Sequence, residues 1–591
     1  MSASTSPHHH WTASAAARLG LLMAATLAWS SSALAQTVAS GVVFEDANRN
    51  GVRDAGERGL AGVRVSDGRQ IVTTDADGRY RMEIGDDVTL FVLKPRDFAT
   101  PIDQLNLPRF YRHHVPAGTP DERFVHKGIP PTGDLPASVD FALVPSPEPE
   151  SFRVALFGDP QAYTTEEMTW YTRDVVSEFA RLAGTVAFGI ALGDLVGDNL
   201  DLFEAYNQAN ALAGFPWYNV LGNHDINFDA LTDKHADATF RRVFGPSSYA
   251  FQYGPAHFFI LNNVFWEGFR GLRRDGHAQR GHYRGMLRPE QLEFVRAYLE
   301  TIPLDAPVII ATHIPLISGA ENPSPGGTTA EFPQLLELLA NRPNTFSVNA
   351  HTHYNLTTVV DASRGFRGEG MVHMHHNVAT ISGSWYTGEP DERGIPLSMM
   401  RDGTPRGYAI AEIDGKRVQI HYQPLHRPDT EQIRIHAPDL ALRDAGTVTV
   451  QANVFDASER SIVRMRLLGG DGRAVVRDWT SMSRRRALDP LYVRLHEQST
   501  RWAAQVPGRR PLSAPEAIEH HYFAELDTAL PTGLYAVEVE TVSSYGRTFT
   551  ARHPLRIVAS EADFRGLDAN SVRTPRPGSP AAREAATRPA P

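Results

Sequence analysis

Apolar and polar positions alternate in short runs over residues 37 to 145, where "GVVFED", "GVRVSDG", "IVTTDADGRYRMEI" and "VTLFVLKP" are separated by Gly and Asp turns. A period of two bounded by turn residues predicts strands, and strands at this spacing predict a small Ig-like β-sandwich. From Phe152 the pattern changes to strands alternating with helices, and the first helix sets Met168, Tyr171, Val175, Phe179 and Leu182 on one face at steps of three and four. Apolar runs "VAFGIALGD", "WYNVLGNHD", "AHFFILNN", "PVIIATHIP" and "TFSVNAHTH" follow, with "RPEQLEFVRAYLE" and "EFPQLLELLAN" between several of them, which predicts an α/β core. Beyond about residue 425 the helical period stops, and "TVTVQANVFD", "IVRMRLL" and "GLYAVEVETVSSYGRTFTARHPLRI" predict a second β-sandwich. The final "NSVRTPRPGSPAAREAATRPAP" is Pro-, Ala- and Arg-rich without apolar periodicity and reads as a disordered tail.

Composition sharpens this outline. A chain of 591 residues, 42% hydrophobic, can bury a large core. Its net charge of -10 argues against a general grip on nucleic acid or anionic membrane. With no cysteine, the fold uses neither disulfides nor thiolate metal sites. At the amino terminus Arg18 precedes the apolar run "LGLLMAATLAW", and Ala33 and Ala35 fit a small-residue cleavage rule with the cut before Gln36. This predicts a signal peptide and a periplasmic or secreted mature protein, with no later segment apolar enough to span a bilayer. The expected organisation is signal 1–35, amino-terminal β-sandwich 36–148, α/β domain 149–425, carboxy-terminal β-sandwich 426–560 and tail 561–591.

Two groups of polar residues carry candidate chemistry. In "DANRNGVRDAGE", Asp46, Asn48, Asn50, Asp54 and Glu57 fall at the steps of a twelve-residue calcium loop, with Gly51 permitting its sharp bend. Ordinary Asn/Gly/Asp turns have the same composition, so both readings stand. The second group lies in the α/β region, where "GDPQ", "GD" at Gly193-Asp194, "GNHD" from Gly222, "THIP" around His313 and "AHTH" from Ala350 each close a predicted strand. On the expectation that these strands share one sheet, the motifs gather at its carboxyl edge, where open α/β sheets bind ligands. Carboxylates, amide oxygens and imidazoles make a mixed O/N shell suited to Mn, Fe, Zn, Co or Mg. Two divalent ions about 4 Å apart need a bridging carboxylate, and Asp194 is the natural bridge.

This order of motifs resembles the calcineurin-like metallophosphoesterases over roughly residues 150 to 425, in a multi-domain bacterial form with a β-sandwich on each side of the catalytic core. The resemblance implies an α/β fold whose metallophosphoesterase β-sandwich core carries βαβ helices. It implies one metal on Asp159, Gln161, Asp194 and His353, a second on Asp194, Asn223, His313 and His351, and His224 facing the phosphoryl group. The chain departs from the family pattern at Gln161, where a histidine is usual, and at Ala350, where a glycine is usual. An amide oxygen ligates but is neutral, so the first metal is expected to be held more loosely. Gly197 stands where purple acid phosphatases carry a tyrosine, which argues against a coloured iron(III) centre.

Neighbouring residues stay outside the ligand list. Asp198 and Asn199 suit a helix amino terminus as well as a supporting role. Among His373, His375 and His376 at least one is expected to face solvent by strand alternation. The Gly/Pro-rich segment 381–410, with Trp385 and Tyr386, is long enough to wrap the metal edge. The expected function is hydrolysis of a phosphate ester, a monoester in preference to a diester, by metal-activated hydroxide; a surface-binding protein with a silent central domain is the alternative from another class.

Overall fold

Strand Arg79–Ile84 buries every second side chain, so Tyr80, Met82 and Ile84 form one inner face while it pairs antiparallel with Thr37–Glu45. The computed structural model describes residues 37–120, 124–274, 276–280, 282–318 and 326–560. The expected signal peptide and carboxy-terminal tail lie outside them. The amino-terminal module has two four-stranded sheets: Arg79–Ile84, Thr37–Glu45, Phe141–Pro145 and Phe98–Ala99 in one, and Ile71–Thr73, Arg64–Ser66, Val88–Leu93 and Tyr111–His114 in the other.

The central domain is a sandwich of two larger sheets. One has five strands in the order Trp217–Asn219, Phe188–Ala191, Ser151–Phe157, Gly407–Asp414 and Arg417–Pro424. The other has six: Tyr249–Tyr253, Ala256–Ile260, Val308–Ala311, Thr345–Asn349, His373–Asn377 and Leu356–Val360. This corrects the expectation of a single sheet: Asp159, Asp194 and Asn223 follow strands of the first, whereas His313, His351 and His353 follow strands of the second. The parallel strands are buried on both faces, and Phe188–Ala191 and Val308–Ala311 have no polar residue, so their sequences do not reveal which sheet each joins. The first helical stretch runs from Thr165 through Leu182 with a π-helical turn at Thr172–Val176, and it buries Met168, Tyr171, Val175 and Phe179 as its spacing predicts.

The amino-terminal module is fused to this core. Phe91 packs edge-on against Phe294 with centroids 5.9 Å apart, and Phe110 sits 5.1 Å from Tyr249. A buried ion pair joins Lys94 to Glu148, while Lys94 Nζ also donates to the Gln252 carbonyl at 2.6 Å and Glu148 Oε2 accepts from Gly254 N–H at 2.8 Å. Burial lowers the lysine's pKa and raises the glutamate's, so each partner holds the other's charge in a dry site. In the candidate calcium loop Asp46 accepts from the N–H groups of Asn50 and Gly51, Asp54 accepts from the Asn48 and Asn50 amides, and Glu57 accepts from Ala47 and Asp54 N–H. Gly51 takes the left-handed φ of 73° that the bend requires.

The carboxy-terminal module also has two sheets, of four strands (Ile433–His436, Thr447–Val454, Ile518–Asp527, Ser483–Ala487) and five (Leu440–Leu442, Thr548–Val558, Gly533–Val542, Ile462–Gly469, Val475–Ser481). It is not all-β. A 14-residue helix, Pro490–Ala503, interrupts it, capped by the Asp489 carboxylate on Tyr492 N–H and opened by proline. That helix fully buries only Tyr492 and Ser499, with Leu491 and Leu495 partly buried beside Tyr492. Strand alternation also misleads at His373–Asn377, where all five residues are buried because His376 meets Tyr545 of the carboxy-terminal module at 2.7 Å.

Lys94→Met is expected to destabilise the protein by about 3–5 kcal/mol, because it strands the Glu148 charge. Adding Glu148→Leu should recover most of that loss in chemical unfolding, and a double variant no better than the single would overturn this account of the junction.

Candidate metal centre

Every loop at the upper edge of the two central sheets is bent sharply and tied to its neighbour. Asp159 and Gln161 both adopt left-handed backbone, φ 49° and 41°, and Asp194 (50°), His351 (72°) and His353 (57°) do the same. Such conformations cost non-glycine residues about 1–3 kcal/mol each, and they cluster at functional sites. Asp159 N–H donates to Gly193 O (3.2 Å) and Gln161 N–H to Asp194 O (2.9 Å), stitching the first loop to the second. The Asp225 carboxylate accepts from Gly222, Leu195 and Val196 N–H, locking the second loop to the third. Close approach is essential at Gly222, where a Cβ would lie 1.9 Å from Asp194 N.

These bends bring together six of the seven expected ligands through direct contacts. His351 N–H donates to Asp159 Oδ2 at 3.0 Å and His224 N–H to Asp194 Oδ1 at 2.8 Å. His313 Nδ1 donates to Leu192 O (2.8 Å), which leaves Nε2 facing Asn223 Oδ1 at 3.0 Å, Asp194 Oδ1 at 3.3 Å and His351 Nδ1 at 3.1 Å. His353 Nδ1 donates to Gly383 O, which aims its Nε2 at Asp159 Oδ1, 3.8 Å away. Gln161 lies beside them: its Nε2 donates to Tyr163 OH at 3.2 Å, and its Oε1 is buried without a hydrogen-bond partner, as is Asp159 Oδ1.

This donor set fits divalent metal. Carboxylate oxygens, amide oxygens and imidazole nitrogens converge in a largely buried pocket where Asp159 Oδ1 and Gln161 Oε1 have no hydrogen-bond partner, an arrangement that a cation satisfies. Asp194, His313 and His351 offer ligand atoms within 4.8 Å of one another. Electrostatics report the same deficit. Burial, reinforced by Asp194, lifts Asp159 well above the carboxylate range, while Asp194 overcomes its burial through His313 and His224 and stays below it. His313 overcomes its burial through Asp194 and rises to about 9, whereas burial drops His351 and His353 to about 3.

His224 sits at the rim. Its Nδ1 lies 2.5 Å from Asp198 Oδ1, Asp198 is paired with Arg280, and its Nε2 lies 3.9 Å from Asp194 Oδ2. Burial opposes protonation here, but Asp194 and Asp198 outweigh it and raise the imidazole's pKa. The capping role weighed for Asp198 and Asn199 belongs to Asn199, which accepts from Asp201 N–H at 3.3 Å. Asp198, Arg280 and Trp385 are supporting residues that the ligand motifs do not contain, whereas Asp225 closes the GNHD motif without being a ligand candidate. Asp198 had a signal in its four-residue distance from Asp194, while Arg280 had none. Gly197, in turn, lies under Tyr163, whose ring a Cβ there would meet at 2.5 Å.

Three family models match the chain: the N terminal of calcineurin-like phosphoesterase over residues 47–127, calcineurin-like phosphoesterase over 152–355, and the C terminal of calcineurin-like phosphoesterase over 375–549. No curated protein matches it. Among solved structures, a purple acid phosphatase from yellow lupin (Lupinus luteus) seeds is 12% identical, with 62% of this chain and 69% of that one covered at a TM-score of 0.33. A superoxide reductase (neelaredoxin) from Ignicoccus hospitalis is 11% identical, with 22% and 81% covered at a TM-score of 0.13.

Asp194→Ala removes the carboxylate expected to bridge two metals. Purified variant is expected to lose both ions in elemental analysis, whereas His351→Ala should lose one; a variant at Asp194 that keeps two ions would refute its bridging position.

Proposed function

The chain belongs to the calcineurin-like phosphoesterases, and from that premise we propose that it is an exported phosphomonoesterase whose ligands are Asp159, Gln161, Asp194, Asn223, His313, His351 and His353. Membership supports a metal-dependent phosphoester hydrolase in general. One observation carries the finer reading: His224 is held from behind by Asp198 and flanked by the partly exposed Arg280 at the edge of the ligand cluster. A terminal phosphoryl group carries up to two negative charges, one more than a diester, and a rim cation favours the greater charge. Export is supported by the apolar run and small-residue cleavage pattern before Gln36. No helix among the described residues is long and apolar enough to cross a membrane.

Bound divalent ions would supply Lewis acidity, drawing charge from the phosphoryl oxygens and lowering the pKa of water. The chain's own residues do the rest. Asp159, Asp194, Asn223 and the three histidines fix the ligand geometry before substrate arrives. Asp198 receives the Nδ1–H of His224, so Nε2, 3.9 Å from Asp194 Oδ2, is the nitrogen that faces the ligand cluster and carries the transferable proton. An imidazolium held there donates to the leaving oxygen as the ester bond breaks, and Asp198 keeps the ring from turning.

With Mn²⁺ added to metal-free protein, release of p-nitrophenol from p-nitrophenyl phosphate is expected to rise and to exceed release from bis-p-nitrophenyl phosphate. His224→Ala should lower kcat by about 10²- to 10⁴-fold. Its loss should shrink for the p-nitrophenyl ester relative to an alkyl ester, since a good leaving group needs little protonation. Faster diester turnover would favour the phosphodiesterase reading, and metal binding with no turnover of either ester would favour the silent binding protein.

A further inference from the structure

Trp385 and Tyr386 are consecutive non-glycine residues in left-handed backbone, φ 57° and 51°. Neither conformation is comfortable for an aromatic residue, so something must hold the pair. The indole of Trp385 lies against the ring of His353, with centroids 4.0 Å apart and planes 34° from parallel. Two residues earlier, Gly383 O takes the Nδ1–H of the same histidine. One restraint comes from within the central domain, where Tyr386 OH donates to Pro160 O at 2.9 Å.

Further restraints come from the carboxy-terminal module. Between strands Ser483–Ala487 and Ile518–Asp527 the chain leaves its sandwich, forms helix Pro490–Ala503 and returns through residues 504–517. On this excursion Arg510 Nη2 donates both to Trp385 O and to Glu167 Oε1, each at 3.0 Å, and Arg510 O accepts from Gly388 N–H at 3.0 Å. Tyr492 OH and Ser384 Oγ lie 2.8 Å apart, and Leu512 packs with Met399 and Tyr492 in a small apolar cluster. Glu516 pairs with Arg401 at 2.6 Å and donates its N–H to Arg401 O, while Arg401 N–H reaches His353 O at 3.4 Å. The excursion therefore grips the segment on both sides of Trp385 and, through Arg401, bears on the backbone of His353.

We propose that residues 488–517 are a strap by which the carboxy-terminal module presses Trp385 onto His353 and fixes that ligand, with Arg510 as the positioning residue. The chemistry gives the strap a reason. Gln161 brings a neutral oxygen to the side of the centre that Asp159 and His353 share, so affinity there depends more on how rigidly the remaining ligands are held. The proposal rests on the metal-site reading of those residues and not on which ester is hydrolysed.

The test is Mn²⁺ titration of metal-free, full-length protein, with free Mn²⁺ read by electron paramagnetic resonance and folding checked by near-ultraviolet circular dichroism. Wild-type protein is expected to bind two ions. Arg510→Ala should weaken one of them by about 10- to 100-fold and leave the other unchanged. Arg510→Lys should restore most of the loss, because both side-chain contacts issue from one nitrogen. Trp385→Ala leaves the carboxy-terminal module untouched and should weaken the same ion, which keeps the test decisive if Arg510→Ala does not fold. Wild-type Mn²⁺ binding in folded Trp385→Ala, or in both variants, would overturn the strap. Failure of the hydrolase reading looks different: two ions bound by wild-type protein and no turnover of either ester.

Discussion

Two buried carboxylates, Asp159 and Asp194, face each other's histidines with no lysine or arginine among them. Among side chains this deeply buried, such a concentration of acceptors is costly unless a cation enters it. The backbone around them is arranged to hold that unfavourable state. Their own main-chain groups are spent on neighbouring loops, and the imidazoles are turned by the carbonyls of Leu192 and Gly383 so that lone pairs point inward. The stability of the surrounding sheets must offset both the electrostatic and the conformational cost. That offset comes from buried strands such as Val308–Ala311, which is apolar throughout, and Thr345–Asn349, whose buried Ser347 is satisfied by His373 and His375.

The two flanking modules meet this core in different ways. The amino-terminal sandwich shares its apolar cluster, so Phe91 and Phe110 belong to the same packing as Phe294 and Tyr249, and the Lys94–Glu148 pair is sealed inside the junction. The carboxy-terminal sandwich keeps a core of its own and touches the central domain through small apolar clusters, such as Tyr354, Leu356 and Ile518, and through polar contacts: Asn355 to Phe455 O, Thr357 to Asp456, His376 to Tyr545 and His520 to Asp402. Directional contacts fix register at little cost in apolar area, and they suit a module whose excursion must meet Trp385 in one orientation. Apolar fusion suits a brace that needs only to be present.

Much of this was legible in the sequence because the informative signals were local. A ligand motif at the end of an apolar run is read within ten residues, and Asp159, Asp194, Asn223, His313, His351 and His353 do meet at one edge. What was not legible depended on distance along the chain. Whether two buried parallel strands share a sheet is decided by neighbours that both read as unbroken apolar runs, so the division into five and six strands left no mark on either sequence. Arg280 reaches Asp198 from a loop 82 positions away, and Arg510 reaches Trp385 across 125. Helix Pro490–Ala503 did carry an Asp-Pro start and a short apolar face at Leu491, Tyr492 and Leu495, but that face meets Met399 and Leu512 in a small cluster of its own, a contact no local pattern identifies.

Ala350 shows how a departure from a family pattern is absorbed by geometry. A glycine is expected before the His-x-His pair because the chain there passes close to another strand end. That strand end is Gly158, and a Cβ built on it would lie 2.2 Å from the methyl of Ala350. The constraint is therefore on the pair: there is room for one methyl between the loops that carry Asp159 and His351, whichever side supplies it. Ala350 is fully buried and its φ is not left-handed, so the methyl fills the space and the bend begins one residue later, at His351. The distance from His351 N to Asp159 Oδ2 stays at 3.0 Å, and the metal edge keeps its shape while the sequence at its closest crossing changes.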